Sequence, residues 1–220
     1  MILFCPPGVY RAQSDTVVLA DQLTRHAEGR DVLDLGTGSG ALTLAAARAG
    51  AASVTGVDLS LRSVLATRLN CLLHGAVVRV RRGDLFGPVE GRRFGLIVAN
   101  PPYVPSATSV LPRHTAGRCW DAGPDGRAVL DRICAGAADH LTPDGRVLLV
   151  HSAVCGPEET IARFAAGGLA AEVVERARIP FGPVMRSRAE LLERRGLIAP
   201  GEQREELVVV EARRSGEHRV

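Results

Sequence analysis

The chain of 220 residues contains no lysine; all 27 of its basic residues are arginine, which excludes any mechanism that needs a catalytic lysine. With the abundant alanine and glycine, this absence fits the codon bias of a GC-rich genome and carries no functional meaning of its own. Cysteine is scarce too. The five cysteines stand at 5, 71, 119, 134 and 155, an odd number without CxxC spacing, which argues against a disulfide framework and against a zinc site. Buried, reduced thiols are the expectation, with no metal bound. No apolar run approaches membrane-spanning length, and the opening Met1-Ile2-Leu3-Phe4-Cys5-Pro6-Pro7 is too short for a signal peptide. A cytoplasmic protein with no membrane partner is therefore expected. Net charge is only +3, which gives no polyanion footprint by itself. What remains, 46% hydrophobic and 23% charged residues, is the composition of a globular protein long enough for one sizeable core and short for two.

Residues 15–28 read as a helix, capped by Ser14 or Asp15, with Val17, Val18, Leu19 and Leu23 on its apolar face. Strands and helices then alternate. Strands are expected at 31–35, 53–58, 77–81, 94–99 and 145–151, and helices at 41–49, 61–73 (capped by Ser60), 126–140 and 157–167. Such alternation builds right-handed βαβ units into a parallel sheet covered on both faces. The rhythm then changes: strands at 171–179 and 206–210 flank a segment, 180–203, that holds a short charged helix around 189–194. Two strands without a full crossover helix suggest a closing antiparallel hairpin. The expectation is a single domain over 1–220, α/β in class, with a doubly wound seven-stranded sheet, mostly parallel and its last strand antiparallel. Residues 1–28 form an N-terminal segment and helix, and 180–203 an insertion between the last two strands.

The chemistry sits where strands end. Asp34-Leu35-Gly36-Thr37-Gly38-Ser39-Gly40 follows Val32-Leu33, and such a turn into a helix needs backbone conformations and a close approach that a Cβ would obstruct. Glycine-rich matches taken alone are weak. Asp58 ends the next strand about 20 residues on, where an acid can accept ribose hydroxyls. Asp84, with Leu85 beside it, lies past the third strand and can accept from an adenine amine. Taken singly, Asp58 could be a loop acid or a helix cap; the three features at successive strand ends together point to a bound adenosine. The G-x-G-x-G spacing differs from the dinucleotide G-x-G-x-x-G, and Asp34 would repel a pyrophosphate but suits an ammonium. S-adenosylmethionine, which has an ammonium and no phosphate, is favoured over NAD.

Asn100-Pro101-Pro102-Tyr103, after Leu96-Ile97-Val98-Ala99, is the sharpest signal. An amide or aromatic-amine nitrogen has its lone pair delocalised and is a poor nucleophile. The Asn100 side-chain oxygen and the Pro101 carbonyl can accept its two N–H bonds, the prolines stiffen the turn, and Tyr103 can stack on the planar group. The sulfonium loses its charge as the methyl leaves, so positioning and electrostatics can carry the rate without a strong base. In a doubly wound sheet the first and fourth strands are neighbours, which brings this turn beside the glycine turn.

These motifs resemble those of the class I S-adenosylmethionine-dependent methyltransferases, and among them the protein-(glutamine-N5) methyltransferases that modify peptide-chain release factors. The resemblance implies that Thr16, Asp34, Gly36, Gly38, Gly40, Asp58, Asp84, Leu85 and Asn100 bind S-adenosylmethionine, and that Asn100, Pro101 and Tyr103 serve catalysis. Gly8-Val9-Tyr10 followed by Asp15-Thr16 is similar to the family's N-terminal segment. Residues Trp120 to Arg127 are similar to its Gly-Gly-x-Asp/Asn-Gly loop, with Ala122 in place of the first glycine. The glycine turn begins at 36, so the N-terminal helical domain of the longer bacterial enzymes is not expected, and the short form implies a small activating partner protein. The stretch 186–203 matches nothing in the family pattern.

The expected function is N-methylation of a protein glutamine amide, with adenine or another base amine in RNA or DNA, or a small molecule, as alternatives. Outside that class stand an NAD-dependent oxidoreductase, opposed by Asp34, and a silent binding subunit, which would more naturally have lost Asn100 or a pocket glycine. Arg79, Arg81, Arg82, Arg92 and Arg93 could form a nucleic-acid stripe but read better as a solvated face. Arg186, Arg188, Arg194 and Arg195, interleaved with Glu190 and Glu193, read as a salt-bridged surface helix. Arg113 and His114 could line a substrate mouth, and Trp120 could stack on substrate or anchor the core.

Overall fold

The apolar runs at Asp31–Leu35 (β1) and Phe94–Ala99 (β4) lie side by side and parallel, Val32 opposite Leu96 and Leu35 opposite Ala99. Every residue of β4 is buried, as a strand covered on both faces requires. The computed structural model describes residues 2–109 and 116–214. Around the β1–β4 pair, Ser53–Asp58 (β2), Arg79–Arg82 (β3), Leu141–Ser152 (β5), Leu169–Pro180 (β6) and Arg204–Arg214 (β7) complete a seven-stranded sheet in the order β3-β2-β1-β4-β5-β7-β6. β7 runs antiparallel to both β5 and β6, so the expected mostly parallel sheet with an antiparallel last strand is what forms. β7 is also inserted between its two partners rather than added at the edge.

Helices Ser14–Thr24 (α1), Ala41–Arg48 (α2), Leu61–Leu73 (α3), Leu130–Ala137 (α4), Pro157–Ala166 (α5) and Pro183–Arg194 (α6) cover the sheet. One core lies between the sheet and α4, α5 and α6, centred on Leu33, Ile97, Phe164 and Val208. The other lies under α1 and α2, around Leu19, Leu23, Val54 and Val98. Ser60 caps α3 as expected, its hydroxyl accepting from Ser63 N at 3.3 Å. α1 differs: its N-cap is Gln13 with no side-chain cap, because Asp15 turns inward to other donors. α4 is shorter than 126–140, since Arg127 is drawn inward and a 3₁₀ turn over 138–140 ends the segment. β5 starts four residues earlier than 145, at Leu141, which pairs with Phe94 across a register shift. The short helix expected around 189–194 is the full α6. Cys71, Cys134 and Cys155 are buried free thiols, and Cys5 and Cys119 are half-buried. Among the described residues no helix is long and apolar enough to cross a membrane, and no cluster of metal-ligating side chains occurs.

Candidate active site

Between β1 and α2 the chain turns through three left-handed glycines, Gly36 at φ +76°, Gly38 at +56° and Gly40 at +84°. A Cβ on Gly40 would also meet Thr67 Cγ2 at 2.9 Å, so both conformation and space demand glycine there. The turn is tied from several sides. Gly36 N and Thr37 N donate to Val57 O, Thr67 Oγ1 donates to Gly38 O at 3.0 Å, and Asn70 Nδ2 donates to Ser39 O at 2.8 Å. Asp58, at the end of β2, accepts from Gly38 N at 2.9 Å and from Ser60 N at 2.8 Å. The structure thus brings Asp58 and the turn into direct contact.

Asp34 is 1% exposed. Its Oδ2 accepts from Thr43 Oγ1 at 2.6 Å, while its Oδ1 is buried without a partner. Burial pushes its carboxyl up to about 6, opposed by the hydroxyls of Thr43 and Thr37 and reinforced by the negative charge of Asp58. Asp84 is exposed and pairs with Arg132 of α4 at 2.7 Å. Leu85 beside it holds φ +44°, the only left-handed residue other than glycine among those described. Such backbone costs of order 1–3 kcal/mol and gathers at functional sites.

Past β4, Asn100 Nδ2 donates to Thr16 Oγ1 at 3.2 Å, which joins α1 to the Asn-Pro-Pro-Tyr turn. Among the described residues neither Asn100 Oδ1 nor the Pro101 carbonyl accepts a hydrogen bond. Tyr103 is buried, and its hydroxyl donates to Asp15 Oδ2 at 3.1 Å. Asp15 also accepts from Tyr10 Oη at 2.7 Å and from Thr16 N at 2.6 Å. Burial first, then the Asp15 charge, pushes both tyrosine hydroxyls well above their ordinary range.

Beside this turn opens a cavity of about 370 Å³. Its floor holds Asn100 to Val104, and its sides are Val9 and Tyr10, Cys119 and Trp120, and Ile179, Pro180 and Pro183 to Met185. Asp15 and Glu205 bring two carboxyls to it, and among the described residues Arg11 is the one basic residue lining it. Glu205 is 6% exposed and its Oε2 has no partner. Desolvation pushes it up to about 7, with Ser152 opposing and the Asp15 charge adding.

The loop after Trp120 closes one side. Val104 N donates to Trp120 O at 2.7 Å, Ala122 N to Val104 O at 3.1 Å and Ser106 N to Gly123 O at 2.8 Å. Ala122 is fully buried and keeps this pairing, so its replacement of a glycine leaves the loop's ladder intact. Gly123 and Gly126 are the left-handed positions. Arg127 points inward to the carbonyls of Cys155 and Gly156 and to Thr160 Oγ1, and pairs with Asp131 at 2.7 Å.

Two site residues and one segment are not legible in the sequence. Asp15 reads as a helix cap, whereas it holds two tyrosines. Glu205 looks like one of two surface acids before a strand. Segment 180–203 has no motif, yet it walls the cavity. The salt-bridged surface helix expected for its arginines forms in part: Arg194 pairs with Glu190 along the helix at 3.6 Å, while Arg188 pairs with Asp121 of another segment at 2.9 Å and Arg195 donates to two carbonyls. Arg81, Arg82, Arg92 and Arg93 each reach an intramolecular acceptor, at 3.2–3.3 Å. Trp120 is half-buried on the cavity wall, while Arg113 and His114 lie outside the described residues.

A sheet in this order, with a glycine turn after β1, an acid closing β2 and Asn-Pro-Pro-Tyr after β4, is the architecture of class I S-adenosylmethionine-dependent methyltransferases. Residues 2–112 match the family model of the methyltransferase small domain, and the chain belongs to that family of S-adenosylmethionine-dependent enzymes. It is 31% identical over 179 residues to a Methanocaldococcus jannaschii protein provisionally named protein N5-glutamine methyltransferase, covering 81% of this chain and 90% of that one. It is 40% identical over 103 residues to the release factor glutamine methyltransferase of Geobacter sulfurreducens, which covers 46% of this chain and 36% of that protein. The chain thus spans about a third of that longer relative. Among solved structures, the Mtq2–Trm112 complex of E. cuniculi, described as responsible for methylation of the termination factor eRF1, superposes at TM-score 0.65 with 24% identity, over 94% of this chain and 99% of that one. A T. thermophilus 16S rRNA N2 G1207 methyltransferase with AdoMet and guanosine superposes at 0.64 with 23% identity, over 97% and 47%. These two likenesses show the shared fold.

The residues present fit the cofactor. The unpartnered Oδ1 of Asp34 is a buried acceptor suited to an ammonium and opposed to a pyrophosphate.

Proposed function

We propose that the chain is an N-methyltransferase that acts on the side-chain amide of a protein glutamine, of the kind found in the Gly-Gly-Gln loop of a peptide-chain release factor. The observation that carries this reading is the pair of acceptors, Asn100 Oδ1 and Pro101 O, that have no donor among the described residues and stand beside a cavity lined by the Asp15 and Glu205 carboxyls. Thr16, Asp34, Gly36, Gly38, Gly40, Asp58, Asp84, Leu85 and Asn100 would hold S-adenosylmethionine, which supplies an electrophilic methyl group on its sulfonium. Asp34 takes the ammonium, Asp58 the ribose hydroxyls, and Asp84 with Leu85 the adenine. Asn100 and Pro101 accept the two N–H bonds of the amide and draw its lone pair out of conjugation, while Tyr103, fixed by Asp15, packs on its plane.

The charges favour protein over nucleic acid. A polynucleotide needs arginines free to follow its phosphates. Here the Asp15 carboxylate would repel a phosphate, and Arg188 and Arg195 of the wall are already engaged with protein acceptors. The names of the Methanocaldococcus and Geobacter relatives support the same substrate class, and a substrate that belongs to translation supports a cytoplasmic enzyme.

A small partner protein, as in the E. cuniculi complex, fits the outer face of α3. Leu61, Leu65, Leu69 and Leu72 recur at helical spacing and, with Leu73 and Val77, are 39–96% exposed beside the edge strand β3. Leu65→Glu with Leu72→Glu should abolish co-purification of that partner without changing cofactor affinity.

The acceptor is tested by radiolabelled methyl transfer to release factor, total RNA, DNA and cell extract side by side. Label is expected in release factor and to be lost 100- to 1000-fold in Asn100→Ala, roughly the effect of removing one preorganised transition-state hydrogen bond. Label only in nucleic acid or only in small molecules would overturn the glutamine acceptor, and normal turnover in Asn100→Ala would overturn the socket.

A further inference from the structure

The segment 180–203, between the last two strands of the chain, stands against the acceptor cavity. α6 begins at Pro183 and is anchored to the sheet by Met185, 3% exposed, and Leu192, fully buried. Its first turn supplies Pro183, Val184 and Met185 to the cavity wall. Its later arginines reach across to the two segments that frame the opposite side. Arg188 Nη2 donates to Asp121 Oδ1 at 2.9 Å, a pair about three-quarters or more buried at each end. Arg195, the residue that ends the helix, donates to Ser106 O at 3.0 Å and to Pro124 O at 2.8 Å.

Without these tethers, segments 104–106 and 120–124 hold each other by a few backbone hydrogen bonds, and each of them follows or faces Tyr103. The Arg188–Asp121 pair is charge-assisted and largely buried, and Arg195, itself exposed, adds two charge-assisted bonds to carbonyls, so the two arginines reinforce the restraint. The remaining arginines of α6 point elsewhere: Arg186 donates to Phe181 O, and Arg194 pairs with Glu190.

We propose that α6 is the acceptor-selecting wall of this enzyme, with Arg188 and Arg195 as positioning residues that hold 104–106 and 120–124 against it. The cavity is thereby a preformed slot, apolar at Val9, Ile179, Val184, Met185 and Trp120, which receives an extended polypeptide segment. Preorganisation lowers the cost of ordering the site when the acceptor binds. Neither arginine touches the reacting atoms. This inference rests on the protein-acceptor reading for the identity of the ligand but not for the geometry of the wall.

The test is the full chain carrying Arg188→Ala and Arg195→Ala together, with Arg188→Lys alongside. Amide hydrogen exchange should quicken at 104–106 and 120–124, and S-adenosylhomocysteine affinity should stay within about twofold. KM for the acceptor should rise about tenfold, the scale of one lost charge-assisted bond, while kcat falls by less than about threefold. Arg188→Lys should recover part of the KM. Unchanged exchange in both segments overturns the proposal, as does unchanged KM, or cofactor affinity lost in step with KM. If the unaltered enzyme labels nucleic acid instead of protein, the glutamine reading falls, and the same KM and exchange comparison on that acceptor still decides the role of α6.

Discussion

Gly126 faces the Tyr103 carbonyl so closely that a Cβ there would collide with the oxygen, and it would also sit 2.8 Å from Cys155 Sγ. Cys155 Sγ meanwhile donates to that same carbonyl at 3.0 Å. The loop glycine and the Asn-Pro-Pro-Tyr turn are therefore one packed unit, although 23 positions separate them in the sequence.

Gly126→Ala should be costly on two counts. Its φ of +76° disfavours any Cβ, and the new methyl must displace backbone rather than a flexible side chain. A loss of about 2–4 kcal/mol in stability is expected, measured by urea unfolding. Cys155→Ala, which removes only a thiol contact, should cost clearly less. Equal costs would show that the carbonyl contact is not what fixes this loop.

Cofactor affinity should depend on pH through Asp34. Burial pushes its carboxyl up to about 6, and an ammonium partner would favour the ionised form. Binding is then tightest above pH 6 and weakens as pH falls, by up to about tenfold per unit, because the proton and the ammonium compete. Calorimetry of S-adenosylhomocysteine across pH 5 to 8 measures this slope. Asp34→Asn should bind more weakly and without the slope; a retained slope in that variant would assign it to another group.

Glu205 should leave a signature in stability. Its ordinary value is 4.5 and burial raises it to about 7, so the folded state holds this proton more tightly than the unfolded chain. The contribution is fully present below about 4.5 and is lost as pH rises through 7, about 3 kcal/mol in all at 1.36 kcal/mol per unit. Glu205→Gln removes the titration. Relative to the unaltered protein, the variant should gain stability between pH 5 and pH 8, and parallel pH–stability curves for the two would contradict the burial of this carboxyl.

The parts of the site legible in the sequence are those that local conformation dictates. Gly36, Gly38 and Gly40 announce a left-handed turn, and Asn100 to Tyr103 an extended, proline-stiffened one, each after an apolar run that could only be a buried strand. Neighbouring strand ends then place the two turns together. Asp15, Glu205 and α6 are different, because their roles are set by tertiary pairing. Glu205 and Glu206 look alike beside the run Leu207 to Val210, and the strand's period of two, which buries Glu205 with Leu207, was the one available signal. Nothing local distinguishes Arg188 from Arg186 until the loop carrying Asp121 comes to meet it. Helix ends depart from expectation where a side chain finds a better partner than the cap it could make, as at Asp15.

The insertion of β7 between β5 and β6 constrains how the enzyme assembles. β6 has no place at the sheet until β7 fills the gap, so the two strands and the helix between them dock on β5 as one piece. That piece carries Ile179, Pro180, Pro183 to Met185 and Glu205, the outer half of the cavity. Units of this kind open and close cooperatively, at a free energy below that of global unfolding. Partial opening would then erase the slot for the acceptor while β1 to β4, with the glycine turn and Asp58, stayed folded. On the proposed reading, the half of the sheet that would choose the acceptor could loosen without disturbing the half that would hold the methyl donor.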